Sequence, residues 1–159
     1  MQQLDIDWTR PADPRPGPLL DHVRAYVGSA GADGHLWHGL PTLLLTTVGR
    51  RSGRPVRTPL VYGEDAGRLI VLAAAHGRPD HPAWYGNLTA HPEVRVQVRA
   101  AVLPATAYTA TPLQRETYGE YMTALWPAYD DYQAAAWPRE IPMVIIETLS
   151  GPAGGLAPS

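Results

Sequence analysis

The chain has 159 residues, 45% of them apolar, with a formal net charge of −2 and no cysteine. That length carries one domain with a real core, and the balance of charge gives no general pull toward nucleic acid or anionic lipid. Disulfides and thiolate chemistry are excluded, no apolar run approaches the ~20 residues of a membrane span, and "MQQLDIDWTRPADPRPGP" lacks the regions of a secretory leader, so a cytoplasmic protein with no integral membrane segment and no nucleic-acid partner is expected.

Residues 1–17 are polar and proline-rich and read as a flexible arm. "PLLDHVRAYVGSAG" then places Leu19, Leu20, Val23, Tyr26 and Val27 at helical spacing before glycines end the run. "GADGHLWHGLP" reads as a loop. "TLLLTTV", "VRTPLVYG" and "RLIVLAAA" read as three successive strands, joined by the turn-like "GRRSGRP" and "EDAG". "HPAWYGNLTAHP" is a short helix with prolines at each end. "VRVQV" and "LPATAYTA" form a second hairpin, in which Pro104 marks an edge or a bulge. "TPLQRETYGEYMTALW" opens on a Thr-Pro cap signal and is the strongest helix, and "PAYDDYQAAAW" extends or bends it after Pro127. "IPMVIIETL" is a final buried strand, and residues 151–159 read as a flexible tail. Residues 18–150 therefore form one mainly β domain with helices, of the α+β class. Six strands in hairpins give a small antiparallel barrel, since the strand–helix alternation of a doubly wound sheet is missing.

All 13 basic residues are arginine, a bias of GC-rich coding, so arginine informs by position and hardly by choice over lysine. Four of them, Arg50, Arg51, Arg54 and Arg57, fall within eight positions around a turn. Gly49 and Gly53 allow positive φ there, so backbone N–H groups can converge on an anion beside the Ser52 hydroxyl. A solvated hairpin tip, a small-molecule phosphate site and a nucleic-acid patch all remain open from spacing alone. The histidines, His35, His38, His76, His81 and His91 among them, form no convincing metal-ligand set. Ser29, Ser52 and Ser150 lack any nucleophile motif, and Asp130 and Asp131 point apart on a helix. Trp126, Tyr129 and Tyr132 recur every three residues, as core or as the wall of a pocket for a flat ligand.

Together, "LLLTTVGRRSGRPVRTPLVY", "LAAAHGRPDHPAWYGNLTAHPEVRVQV" and "WPAYDDYQ" resemble the deazaflavin (coenzyme F-420)-dependent nitroreductase family, in the same order over residues 43–149. The resemblance implies a six-stranded antiparallel split β-barrel of the FMN-binding split-barrel-like type. It also implies coenzyme F-420, an 8-hydroxy-5-deazaflavin, as cofactor. Gly49, Arg50, Arg51, Ser52 and Gly53 would hold its phosphate and acidic tail. Arg57, Thr58, Pro59 and Leu60 would line its groove, and Pro82, Trp84, Asn87 and Leu88 would close it. Trp126, Tyr129 and Tyr132 match the substrate wall, although tyrosine is usual at the first of these positions and glycine is common at His76. These two departures leave the acceptor unspecified.

The expected activity is that of a deazaflavin-dependent oxidoreductase, nitroreductase- or quinone reductase-like. It would move a hydride between the reduced cofactor and a quinone, an activated enone or a nitroaromatic. Tyr129, Tyr132 and His76 are the candidates to donate a proton or polarise the acceptor. The alternatives are an FMN-dependent split-barrel reductase and a cofactor-free barrel that binds or folds a hydrophobic ligand. The oligomeric state is open, a homodimer included.

Overall fold

The computed structural model describes residues 6–148, and the residues 151–159 expected as a tail lie outside it. Strand β2 (Leu40–Val48) is the pivot of the fold. It is buried at every position from Thr42 to Val48, as a strand covered on both faces should be. It pairs antiparallel with β3 (Pro55–Val61) and with β6 (Glu93–Val98). Strand β6 turns back into β7 (Ala101–Thr109), which pairs with β8 (Met143–Thr148), and β8 pairs with β5 (Arg68–Leu72). Strand β5 pairs with β4 (Gly63–Asp65), and only Tyr62 separates β4 from β3. One bent strand thus bonds to β2 with its first half and to β5 with its second. Six long antiparallel strands come round into a split barrel, as the sequence led us to expect. A two-residue strand, β1 (Leu36–Trp37), pairs with the start of β2 inside the segment read as a loop.

Alternation along the strands sorts the core. Leu43 and Leu45 point into the barrel with Leu69, Val71, Val94, Val96, Val144 and Ile146. Leu44, between them, points outward to Val23 and Tyr26 of helix α1 (Pro18–Gly28). On the far side, Ile70, Leu72, Met143 and Ile145 meet helices α3 (Pro112–Leu125) and α4 (Ala128–Ala136) through Tyr118, Met122, Tyr129 and Ala136. Helix α2 (Ala83–Ala90) sends Leu88 into the inner core.

Local chemistry sets the helix ends. The Gln114 amide N–H donates to the Thr111 hydroxyl at 3.2 Å, and the Gln114 side chain accepts from the Thr111 N–H at 2.9 Å. This reciprocal box satisfies two of the donors left over at the start of α3. Helix α3 stops at Leu125 because Pro127 has no N–H to continue it. Pro104 sits in a continuous ladder opposite Arg95 with no bulge, one residue before the pairing of β7 with β8 begins.

The N-terminal arm is attached over residues 8–13. The Ala12 N–H donates to Pro55 O at 2.9 Å, and the Arg57 N–H donates to Ala12 O at 2.8 Å. The Arg57 guanidinium forks onto Asp13 at 2.7 and 2.9 Å, and that of Arg95 lies 4.2 Å from the Trp8 ring centroid. Among the described residues, no helix is long and apolar enough to cross a membrane.

Candidate cofactor and acceptor site

The arginine turn is rigid. The Gly49 N–H donates to Arg54 O at 2.7 Å and the Gly53 N–H to Gly49 O at 2.8 Å. Gly53 is left-handed, with φ of 72°, and Ser52 Oγ accepts from the Arg54 N–H at 3.1 Å. Arg50 has a different task from its neighbours. Its Nη1 donates to Ala83 O and to Asn87 Oδ1, both at 3.0 Å, and its backbone N–H donates to the same Oδ1 at 3.1 Å. Asn87 is buried, and its Nδ2 donates to Thr47 Oγ1 at 3.1 Å. Asn87 Oδ1 thus accepts twice from Arg50 while Nδ2 anchors to Thr47, and the side chain braces the turn against α2. Gly86 makes room for this brace, since a Cβ there would lie 2.8 Å from Arg50 Nη1. Arg51 and Arg54 are exposed, and their guanidiniums have no partner among the described residues.

Strand parity divides the four residues expected along the groove. Thr58 and Leu60 stand opposite Leu45 and Leu43, on the inner face, together with Val56. Arg57 and Pro59 stand opposite Thr46 and Leu44, on the outer face. Arg57 therefore stands apart from the inner-facing Thr58 and Leu60. Its fork is occupied by Asp13, with the two side chains only 19% and 26% exposed. Arg57→Ala and Asp13→Asn should each cost about 1 kcal/mol of stability in urea unfolding, on the scale of a partly screened ion pair. The double variant should cost little more than either single change, and neither should weaken binding of an anion at the turn, whereas Arg51→Ala should. Leu88 is 1% exposed and packs in the barrel core. Trp84 is half-buried against that core, and Pro82 caps α2.

On the other side of the barrel mouth, the chain leaves β5 through three left-handed residues, Ala75, His76 and Gly77, with φ of 48°, 54° and 76°. The His76 ring is exposed and lies 5.7 Å from that of Tyr132, centroid to centroid. Trp126 stands edge-on to Tyr132 at 5.5 Å. Three of the four aromatic candidates therefore meet. Tyr129 departs from them: its hydroxyl lies 3.4 Å from Arg115 Nη2, and burial pushes its pKa up. The three-residue spacing misled here because Trp126 falls outside both helices, at the C-terminal cap of α3.

Tyr129 opens on a cleft of about 700 Å³ between α3 and α4, which shares no residue with the arginine turn or β3. Glu116, Glu120, Asp130 and Glu140 line it, and such a cleft repels an acidic ligand. Sequence reasoning missed Arg139 entirely; its guanidinium donates to the carbonyls of Ala73, Ala74 and Arg78. Nothing in "AWPREIP" signals this, because the partners are main-chain atoms about 60 residues away.

Comparison with known proteins agrees with this geometry. The family model described as F420H(2)-dependent quinone reductase matches residues 19–148. A putative F420H(2)-dependent quinone reductase of Mycobacterium tuberculosis is 34% identical over 113 residues, 67% of this chain and 89% of that protein. A second quinone reductase of that species is 31% identical over 134 residues, 79% of this chain and 86% of its own. Among solved structures, an F420-H2-dependent reductase superposes with a TM-score of 0.62 at 37% identity, covering 67% of this chain and 94% of that one. A domain-swapped dimer superposes with a TM-score of 0.65 at 32% identity, covering 80% and 92%. Matches of this extent and identity, on a split barrel with an arginine turn at its mouth, place the chain in the F420H(2)-dependent quinone reductase family.

Proposed function

We propose that this protein transfers a hydride from reduced coenzyme F-420 to a quinone. The observation that carries the reading is the braced turn of Gly49–Gly53, with Arg51 and Arg54 exposed and unpaired among the described residues, in a chain matched by the family over residues 19–148. The residues fit the anionic end of the cofactor. Two free guanidiniums, the Ser52 hydroxyl and a turn fixed by Arg50, Asn87 and the missing Cβ of Gly86 form a preorganised donor set. Thr58, Leu60 and Trp84 offer the flat, mostly apolar surface that a fused ring needs. When bound, the reduced deazaflavin supplies the hydride.

The chain's own work is to bind, orient and exclude water. Conversion of a quinone to a hydroquinone takes up one hydride and one proton, and an acid on the acceptor wall can supply the proton. His76 and Tyr132 are the proton-bearing groups that meet there, and imidazole is the side chain type that exchanges protons near neutrality. Trp126 closes the wall edge-on to Tyr132. A homodimer is proposed for this chain on its likeness to the domain-swapped relative, and sedimentation checks it.

The deciding experiment is titration with oxidised coenzyme F-420 by its fluorescence, with FMN as competitor, followed by turnover with a quinone and a nitroaromatic side by side. Saturable F-420 binding that FMN does not displace, with quinone turnover, is expected. FMN bound tightly with no deazaflavin binding would remove the proposal. In the same assay Trp126→Tyr should change the ratio of the two acceptors, since it alters the volume of the wall and adds a hydroxyl. Tyr129→Phe should leave that ratio unchanged, because Tyr129 opens on the other cleft.

A further inference from the structure

The turn that carries His76 is strained, and one distant side chain holds it. Left-handed backbone is unfavourable for any residue with a Cβ, and Ala75 and His76 both adopt it. Such a conformation persists only where its surroundings over-determine it. Here the surroundings are helix α4, which Gly77 abuts at Tyr132 and Ala135, and Arg139. Its Nε donates to Arg78 O at 3.0 Å, its Nη1 to Ala73 O at 3.0 Å and its Nη2 to Ala74 O at 2.8 Å. These carbonyls flank the three left-handed residues on both sides. Nη1 also lies 3.0 Å from His81 Nδ1; a guanidinium only donates, so that ring nitrogen is the acceptor.

We propose that Arg139 is a positioning residue for His76, fixing the main chain on both sides of the left-handed turn and so holding the imidazole against Tyr132. The planar fork is required because three separated carbonyls must be met at once, which a single ammonium cannot do. Through His81 the same guanidinium reaches the residue before Pro82, where α2 begins. Helix α2 in turn carries Gly86 and Asn87, which hold Arg50. One side chain therefore ties the acceptor turn to the helix that braces the cofactor turn. The catalytic consequence rests on the function proposed above; the fixing of the turn does not.

The test uses the full chain with Arg139→Gln and Arg139→Lys. Amide exchange read by mass spectrometry, without cofactor, should quicken about tenfold or more across residues 73–78 in both variants, while peptides from β6 and β7 exchange as in the parent. With cofactor, Kd for oxidised coenzyme F-420 should stay within about threefold, while kcat with a quinone should fall by about tenfold, the scale of one charge-assisted contact. In a His76→Ala background, adding Arg139→Gln should lower kcat no further, because Arg139 acts through His76. Unchanged exchange at 73–78, equal acceleration throughout the barrel, or an undiminished kcat loss in the His76→Ala background would each overturn the proposal. Should Arg139→Gln not fold, Arg139→Lys carries the same measurements. A parent protein that fails to bind coenzyme F-420 sinks the proposed function, and exchange at 73–78 still decides the role of Arg139.

Discussion

Gly86→Ala is expected to weaken binding of coenzyme F-420 by roughly tenfold or more, while the melting temperature falls only slightly. A methyl at this position would lie 2.8 Å from Arg50 Nη1 and 2.9 Å from its Cζ, closer than any real contact. The displaced group is the far end of a flexible side chain, so Arg50 swings out and α2 keeps its place. Arg50 then loses its side-chain bonds to Ala83 O and Asn87 Oδ1, contacts of a type typically worth about 1.5–3 kcal/mol. Alanine is favoured over glycine inside a helix by about 1 kcal/mol, which offsets most of the cost to the fold. Affinity should therefore fall much more than stability, a disproportion that a general packing defect would not produce. Fluorescence titration and a thermal melt on one preparation check it. A fall in melting temperature with unchanged affinity would show that the brace does not serve the anion site.

Gly77→Ala should be far more damaging to the fold than Gly86→Ala, at about 3 kcal/mol in urea unfolding. Left-handed backbone accounts for about 1–2 kcal/mol of this in a residue with a Cβ. Overlap supplies the rest, since the new methyl would stand 2.8 Å from Ala135 Cβ and 2.9 Å from Tyr132 O. Neither neighbour can rotate away, because one is a main-chain oxygen and the other a Cβ fixed by α4. Relief requires the turn to part from α4, which carries His76 off Tyr132, so quinone turnover should fall with stability. A loss below about 1 kcal/mol would mean that the turn separates from α4 freely. The contrast with Gly86 is instructive. Two glycines that look alike in the sequence meet a movable guanidinium in one case and a fixed backbone in the other.

That contrast also marks how far the sequence could be read. The strands, the two hairpins, the capping box at Thr111 and the break at Pro127 are local features, set by periodicity, turn chemistry and proline. They were legible, and the closure into a barrel followed from the number and spacing of the hairpins. The arginine turn was legible as a turn dense in positive charge, but not as one braced by Asn87. What depends on strand parity or on close approach was not. Arg57 adjoins the inner-facing Val56 and Thr58 in the chain, yet one step along β3 turns it to Asp13. Asn87 matches the family motif at the cofactor, yet its amide is consumed by Arg50 and Thr47. Arg139 had no readable signal, because its partners are carbonyls that every residue possesses.

The attachment of the arm to β3 bears on how the protein behaves when crowded. Along β3 the main-chain groups alternate sides, and those of Val56, Thr58 and Leu60 lie on the side toward β2, while those of Pro55, Arg57 and Pro59 face away from it. Of these three, the two prolines have no N–H, and the Arg57 N–H is taken by Ala12. From Pro55 to Pro59 this rim of the barrel therefore offers no donor to an incoming strand. A foreign chain could not extend the ladder there without first stripping away residues 11–13 and then meeting proline on either side. This edge of the barrel is thereby guarded against edge-to-edge pairing between copies of the chain.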